Sequence, residues 1–345
     1  GPNKGVYGEL KSATGTSTTT GTDIWGASYE TKSITYYTII NNRAMASHVH
    51  AETKGTNLFG ESYTTISDTY YTYKFAESSE STWTHGKIYR IDTAITTSTT
   101  TGTDIWGASY VTTSTTEYTI IHNRALPLKV TSHTTGSNLF GESYTTTSET
   151  TYEYYSGTSG PNHVLGELRR AYTDSTTTGT DIWGASYQTT SHTEYTIIHN
   201  RALAWKVDAT TTGSNLFGES YTTTSYTEYE YYTEQTGPNH VLGELKGAIT
   251  TSTTTGTDIW GASYETKSTT TYTTRHNRAL ALEVKAHTTG YNLFGEEYIT
   301  DSTTTYSYDA NGSLTGATGD SKTTGTDLFG GATETNSHTV YTIIN

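Results

Sequence analysis

The chain has 345 residues, a formal net charge of −14, four prolines, one methionine and no cysteine. Leu, Ile, Val and Phe together make up about 15% of the chain, below the roughly 20% that separates ordinary globular chains from disordered ones. This composition argues against a globular enzyme with a large aliphatic core, and the lack of cysteine excludes disulfide scaffolds, cysteine-ligated zinc sites and redox thiols. No apolar run approaches the ~18 residues of a membrane span. The acidity, without a basic patch, argues against nucleic acid as a partner.

A six-residue motif repeats along the chain. Gly-Thr-Asp-Ile-Trp-Gly begins at Gly21, Gly102, Gly179 and Gly256, and it returns as Gly-Thr-Asp-Leu-Phe-Gly at Gly325. A related motif with Asn in place of Asp begins 34 residues after each of the first four, at Gly55, Gly136, Gly213 and Gly290. The next unit follows after 47, 43, 43 and 35 residues, so short and long units alternate.

This spacing predicts the organisation of the chain. Residues 1–20 form a partial repeat that contains an insert, four repeat pairs occupy 21–101, 102–178, 179–255 and 256–324, and a partial repeat occupies 325–345. Because both ends fall inside a repeat, we expect the chain to belong to a longer array.

Each motif is followed by a stretch with a period of two. Its alternate residues are Tyr110, Thr112, Ser114, Thr116, Tyr118 and Ile120 in one copy. Thr and Tyr favour strands, and this alternation indicates one face of a strand. The return strand reads Leu126, Leu128, Val130, Ser132 and Thr134 on one face, with Pro127 on the other, which indicates an edge or a bulge there. The sequence therefore predicts an all-β fold of about eighteen strands, in tandem antiparallel hairpin repeats that form an extended or spirally wound ribbon.

The repeated motifs are predicted to be structural turns, since their glycines permit unusual dihedrals and Asp or Asn can bond its own backbone. The predicted turn residues are Gly21, Asp23, Trp25, Gly26, Gly55, Asn57, Phe59, Gly60, Gly102, Asp104, Trp106, Gly136, Asn138, Gly179, Asp181, Gly213, Asn215, Gly256, Asp258, Gly290, Asn292, Gly325 and Asp327. Asn cannot act as a general acid or base, so its presence at the Asp position favours the turn over a catalytic or metal site. Tight turns are also predicted at His122-Asn123, His199-Asn200 and Asp309–Gly312.

Other polar residues offer little catalytic chemistry. Glutamates after the Phe-Gly turns, such as Glu142, are expected to form a solvated acidic edge. His48 and His50 form a period-two pair that could bind a metal, although exposed histidines are the simpler interpretation. No nucleophilic serine motif and no phosphate-binding loop occur. We therefore expect no enzyme activity, no cofactor and no metal.

The Thr-rich tracts suggest two surface roles. Thr-rich extracellular chains are often O-glycosylated, and one N-glycosylation sequon begins at Asn311. The candidate O-glycosylation sites are Thr18, Thr19, Thr20, Thr99, Thr100, Thr176, Thr177, Thr253 and Thr254. Regular threonine ranks could instead match an ice lattice, although Tyr and Glu interrupt them along the sequence.

One segment resembles a known family. Tyr306-Ser307-Tyr308-Asp309-Ala310-Asn311-Gly312-Ser313-Leu314 is similar to the tyrosine–aspartate repeat of the Rhs/YD-repeat proteins. In the equivalent slot, Tyr118–Leu126 lacks the Asp and the Gly. The resemblance implies extracellular or cell-surface β-hairpin ribbons that coil into shells or stalks.

Repetition without a unique site predicts a structural subunit of an extracellular fibre or cell-surface filament. Its expected partners are further copies of itself, stacked head-to-tail or within one chain, with possible covalent glycans. The alternatives are the repeat region of a surface adhesin or YD-type shell and, less favoured, an ice-binding repeat.

Overall fold

The computed structural model describes residues 9–22, 27–56, 61–75, 89–104, 107–138, 140–157, 164–233 and 241–343. The chain divides into two compact units, Gly1–Arg169 and Arg170–Asn345. In the described residues every regular element is a strand, and there are 18 of them. The predicted all-β class with tandem antiparallel hairpins is confirmed.

The first unit contains eight complete strands within its described residues: β1 (Thr14–Thr22), β2 (Ser28–Ile40), β3 (Arg43–Thr56), β4 (Ser62–Phe75), β5 (Tyr89–Thr103), β6 (Ser109–Ile121), β7 (Arg124–Ser137) and β8 (Ser143–Tyr154). Each strand from β1 to β7 pairs antiparallel with the next one in the chain, so the pairings run from β1–β2 to β7–β8. This meander follows directly from the short turns between strands, since antiparallel neighbours need only a tight connection.

The second unit contains the remaining strands: β9 (Leu168–Thr180, whose first two residues fall in the first unit), β10 (Ser186–Ile198), β11 (Arg201–Ser214), β12 (Ser220–Tyr231), β13 (Leu245–Thr257), β14 (Ser263–Arg275), β15 (Arg278–Tyr291), β16 (Glu297–Tyr308), β17 (Leu314–Thr326) and β18 (Ala332–Tyr341). Consecutive strands again pair antiparallel, from β9 to β18. The repeat boundaries of the sequence at Gly179, Gly256 and Gly325 fall inside strands.

Motif turns and His-Asn turns lie at opposite ends of the strands. The Asp/Asn motifs connect pairs such as β9–β10 and β11–β12 at one end, which we call the motif end. The His-Asn turns connect β6–β7, β10–β11 and β14–β15 at the other end. Both central residues of these turns have positive φ, as at His122 (49°) and Asn123 (61°). This is the type I′ geometry that suits a two-residue hairpin, so the predicted tight turns are confirmed.

The return strands carry a bulge that corrects the expected pattern of faces. In β7, Lys129 pairs with Glu117 but Pro127 pairs with Tyr118, so one residue is left over between them. This shift confirms the bulge that was one of the two alternatives predicted at Pro127. The alternation moves by one residue there, which places Leu126 on the face opposite Val130, whereas the predicted face ran unbroken from Leu126 to Thr134. The same shift occurs between Glu194 and Tyr195 in a hairpin without proline. Pro127 is therefore not the cause of the bulge.

The sheets have little core. In the described residues the buried apolar side chains are Ala94 and Leu168 in the first unit and Ala171, Leu245 and Ala317 in the second. No large side chain among the described residues is fully buried. The stability of each unit must therefore come mainly from strand pairing and from contacts between side chains on neighbouring strands.

Candidate functional site

The motif turns are held by their Asp or Asn side chain, as predicted. In the β9–β10 turn, Asp181 Oδ1 accepts hydrogen bonds from the backbone N–H groups of Trp183 and Ala185, both at 2.8 Å. In the next motif turn, Asn215 Oδ1 accepts the equivalent bonds from Phe217 and Glu219 at 3.0 Å. Since Asp and Asn make the same bonds, the conserved chemistry of this position is that of an oxygen acceptor, and the turn prediction is confirmed for the described copies.

The glutamates after the Phe-Gly turns belong to the turn and are not merely a solvated edge. Asn215 Nδ2 donates a hydrogen bond to Glu219 Oε2, and Asn138 and Asn292 bond Glu142 and Glu296 in the same way. Four of the Asp turns carry Ala at the glutamate position and the Asp327 turn carries Gly331, so none places two carboxylates side by side. The sequence showed this covariation of Asn with Glu and of Asp with Ala, but the hydrogen bond needed the structure.

The first glycine of each motif does not lie in the turn, in contrast to the prediction. Gly256 is an extended residue of β13, and only the second glycine has positive φ, as at Gly261 (91°). A Cβ built on Gly256 would lie 2.4 Å from Cε1 of Tyr264, whose ring covers the glycine from the paired strand. The same correction applies to Gly21, Gly55, Gly102, Gly136, Gly179, Gly213 and Gly290, each covered by the tyrosine eight residues later. Glycine is needed at these positions because a Cβ there would collide with the tyrosine ring that lies over the strand.

At Gly325 the eighth residue is Thr333, and a Cβ there would lie 3.1 Å from its Oγ1. Predicted turn residues Asp23, Trp25, Gly26, Asn57, Phe59, Gly60 and Trp106 lie outside the described residues.

Strand register turns the threonine tracts into continuous rows. In the second unit, one row crosses every strand: Thr177, Thr189, Thr211, Thr223, Thr254, Thr266, Thr288, Thr300, Thr323 and Thr335. In the first unit the equivalent row is Thr19, Thr31, Thr53, Thr65, Thr100, Thr112, Thr134 and Thr146. Hydroxyls pair along the rows, as in Thr223–Thr254 (2.9 Å) and Thr65–Thr100 (2.8 Å). Tyr and Glu do not interrupt these rows.

A serine row runs parallel to the threonine row two residues along each strand. Its hydroxyls pair across alternate strands, as in Ser252–Ser268 (2.8 Å) and Ser98–Ser114 (2.7 Å). Ala51, Ala209 and Ala286 occupy the same row on β3, β11 and β15. A serine nucleophile needs a base, whereas these hydroxyls bond one another.

At the end of the strands opposite the motif turns, beyond the bulge, tyrosine hydroxyls bond backbone carbonyls where the pairing between strands stops. There the pairing of β11 with β12 stops at Lys206–Glu228, and the Tyr231 hydroxyl instead donates to the Ala204 carbonyl at 2.7 Å. Tyr154 makes the equivalent bond to Pro127 at 2.7 Å. Burial raises the pKa of Tyr154 to about 12, and burial also raises the pKa of Tyr231. These phenols therefore act as hydrogen-bond donors that bridge a gap in the backbone ladder.

Except for His133, the histidines inside the described strands lie within hydrogen-bond distance of an aspartate on a paired strand. His192 Nδ1 lies 2.6 Å from Asp174 Oδ1, and His287 Nδ1 lies 2.7 Å from Asp301 Oδ1. The predicted metal candidates behave in the same way, because His48 Nε2 and His50 Nδ1 both lie within 2.9 Å of Asp68 Oδ1.

The surroundings of Asp68 favour its charged form. Hydrogen bonds from His50 first and from His48 second hold the pKa of Asp68 below its usual value. The His48 ring is stacked between Tyr36 and Tyr70, with ring centroids at 5.4 and 4.4 Å. In the described part of the chain, no group of three His, Cys, Asp or Glu residues is arranged to hold a metal ion.

The second unit has an open groove of about 1060 Å³ across the middle of its strands. Lys285, Lys322 and His287 are among its lining residues, and each contacts a carboxylate: Glu283, Glu334 and Asp301 respectively. These positive charges are therefore neutralised by neighbouring carboxylates. The groove has no cluster of like charges that would attract a charged ligand.

The candidate glycosylation sites lie on both faces of the strands. Thr19, Thr100, Thr177 and Thr254 belong to the threonine rows, where Thr100 and Thr254 use their hydroxyls in Thr–Thr bonds. Thr18, Thr20, Thr99, Thr176 and Thr253 point to the opposite face, since each is the immediate sequence neighbour of a row residue. Asn311 is exposed in the turn held by Asp309, whose Oδ1 accepts the Asn311 N–H at 2.9 Å.

At the motif end the turns project large apolar side chains into solvent. In the second unit Trp183 is 70% exposed, Phe217 75%, Trp260 67%, Phe294 67% and Phe329 96%. The sequence identified these residues as turn components but gave no indication of their exposure. The described residues contain no helix with the length and hydrophobicity of a membrane span.

No protein-family model matches the chain, and the comparison with curated proteins gives no match.

Proposed function

We propose that the chain is a structural subunit of an extracellular fibre or cell-surface filament, with no catalytic role. The observation that carries this proposal is the continuity of the threonine row across all strands of each unit. Because every strand contributes the same residue to the row, the repeats are equivalent in structure and we expect them to be equivalent in function. A catalytic site instead requires a unique arrangement of groups.

The energetics also favour a repetitive scaffold. Each strand contributes a residue to the threonine row, and each motif hairpin except β17–β18 places a tyrosine ring over a glycine of the paired strand. Such cross-strand pairs are worth roughly 0.2–1 kcal/mol each, so a single hairpin gains too little to fold alone. Stability therefore accumulates with the number of neighbours, and the array can extend to any length.

An extracellular location suits this chemistry. A chain without cysteine is indifferent to the redox state of its surroundings. The net charge of −14 keeps isolated copies soluble before assembly.

Negative-stain electron microscopy of the purified chain tests the proposal. We expect filaments whose formation is independent of metal ions and substrates. Closed hollow particles would support a YD-type shell instead. Discrete monomers at all concentrations would contradict a fibre subunit.

A second candidate, ice binding, is favoured by one observation. The threonine and serine rows form a regular hydroxyl array on one face, with neighbouring strands about 4.8 Å apart. An assay of ice recrystallisation with the intact chain tests it, and the matched control carries Thr→Lys at Thr223, Thr254 and Thr266. Equal inhibition by both proteins, or none by either, would refute ice binding.

A further inference from the structure

The motif end of the second unit carries a continuous apolar edge. Its members are Ile182, Trp183, Leu216, Phe217, Ile259, Trp260, Leu293, Phe294, Leu328 and Phe329, all at least 41% exposed. Neighbouring turns touch: a Cβ on Gly184 would lie 2.9 Å from Leu216 Cδ2, and the Leu328 N–H donates to Glu296 Oε1 at 3.3 Å. The turns follow one another at two-strand intervals, roughly 9.6 Å. We call these ten residues the aromatic edge.

The size of the aromatic edge exceeds what a soluble monomer usually leaves uncovered. A large aromatic side chain presents about 200 Å², so the five rings, exposed by 67% to 96%, present roughly 750 Å². The five aliphatic residues add to this. Typical monomers show largest apolar patches of ~300–600 Å², whereas a stable dimer buries about 800 Å² on each partner. The exposed apolar area of the edge is therefore close to the area that each partner buries in a stable dimer.

The pattern of the edge is complementary to itself. Along the edge the turns alternate between Ile-Trp and Leu-Phe from Trp183 to Phe294. When two such edges meet in opposite directions, each tryptophan turn of one copy can face a phenylalanine turn of the other. A two-fold interface requires this kind of self-complementarity, and Trp–Phe pairs gain energy beyond their buried area.

Charge argues against a membrane as the partner. The turns carry Asp181, Asp258, Asp327, Glu219 and Glu296, and the chain as a whole has a net charge of −14. Anionic lipid surfaces would repel such an edge. Between two copies the same carboxylates repel at low salt, and added salt screens that repulsion.

We propose that the aromatic edge is a self-association surface, through which two copies of this chain pair side by side. This inference names the lateral contact of the proposed fibre and so rests on the proposed function for its biological meaning. The contact itself is lateral, at the turns, and is distinct from any pairing of strands along the ribbon.

Sedimentation equilibrium of the full chain tests the proposal. The edge variant is W183S/F217S/W260S/F294S/F329S, which leaves every backbone N–H donor of the Asp and Asn turns in place. The matched control is I249T/L282T/I299T/V340T, which removes exposed apolar side chains from the strands. Circular dichroism establishes that both variants keep the strand content of the parent.

We expect the parent and the control to dimerise with an affinity that rises between 50 and 500 mM NaCl. We expect the edge variant to associate at least ~30-fold more weakly, which corresponds to about 2 kcal/mol at 25 °C. Equal association of all three proteins, or a monomeric parent, would overturn the proposal. So would retention of the parent, but not of the edge variant, on insoluble cellulose or chitin without any dimerisation, since the edge would then be a polysaccharide platform.

Electron microscopy of the same proteins separates this inference from the proposed function. Filaments of equal width from the parent and from the edge variant would refute lateral pairing but leave the fibre intact. Salt-dependent dimers without filaments would support the aromatic edge and count against the fibre.

Discussion

Replacing a strand glycine with alanine tests whether the tyrosine rings hold the motif end together. We consider Gly256→Ala, because a Cβ there would lie 2.4–2.6 Å from two ring carbons and the hydroxyl oxygen of Tyr264. No backbone strain is involved, since Gly256 is an extended residue of β13. The ring must therefore move off the strand that it covers.

The cost follows from the area that the ring loses. Tyr264 is 37% exposed, so roughly 125 Å² of its surface is covered. At about 25 cal/mol per Å², complete exposure would cost ~3 kcal/mol. A tilt that uncovers about half of that area would cost ~1.5 kcal/mol, within the range measured for overpacked sites.

Gly247→Ala is the matched control, because Gly247 lies in the same strand and a Cβ there meets nothing within 4 Å. Alanine at such a position reduces the freedom of the unfolded chain, so we expect no loss and up to ~1 kcal/mol of gain. Urea unfolding, followed by amide hydrogen exchange in peptides from β13 and β14, measures both variants. Equal stability of Gly256→Ala and Gly247→Ala would refute the role of the ring.

Four further predictions concern the turns and the titrating groups. Asp258→Asn should be nearly neutral, while Asp258→Ala should cost ~1–2 kcal/mol because Trp260 and Ala262 lose their acceptor; equal thermal midpoints for the two would contradict this. Asn292→Asp should destabilise its turn by placing a carboxylate beside Glu296, and adding Glu296→Ala should restore stability in the same melting assay. The pKa of Asp68 is lowered by His50 and His48, so its contribution is present above the unfolded value near 3.9 and is lost as pH falls through the lower folded value. An acid titration of stability should show this step in the parent and not in Asp68→Asn. The pKa of Tyr154 is raised to about 12, so the unfolded chain ionises first and stability falls above pH ~10. Tyr154→Phe should weaken that alkaline loss and remove one phenol from the 295 nm titration near the top of the pH range.

Much of the fold could be predicted because local signals were strong. The alternation around Thr112 and Ser114 identified the strands, and the Asp or Asn of each motif identified the turns. Both signals depend only on nearby residues, and repetition presents each of them several times. The tight turn at His122-Asn123 was recognisable for the same reason, while its type I′ geometry became visible only in the structure.

The remaining features depend on register between strands, which the sequence does not state. The role of Gly256 became visible only when β13 and β14 aligned it with Tyr264. The bulge before Val130 reverses the faces of Leu126 and Val130. Pro127 indicated a bulge in β7, but the equivalent bulge in the β10–β11 hairpin has no proline to mark it. The unbroken threonine rows likewise appear only when tracts far apart in the sequence are placed side by side.

The exposure of the aromatic edge could not be predicted from composition either. Trp and Phe in a chain poor in aliphatic residues would ordinarily be assigned to its core. Trp183 and Phe329 are instead carried outward by turns whose backbone is fixed by Asp181 and Asp327. The turn chemistry decides their position.

The most direct test of an interchangeable scaffold is to delete one repeat pair at a time. Removing residues 102–178 or residues 179–255 joins the chain between matching Thr-Thr-Thr and Gly-Thr-Asp segments. We expect the two deletion variants to have the same strand content per residue by circular dichroism, and free energies of unfolding in urea that agree within ~0.5 kcal/mol. Loss of folded structure in one variant and not in the other would show that one copy is indispensable, which contradicts a scaffold of equivalent repeats.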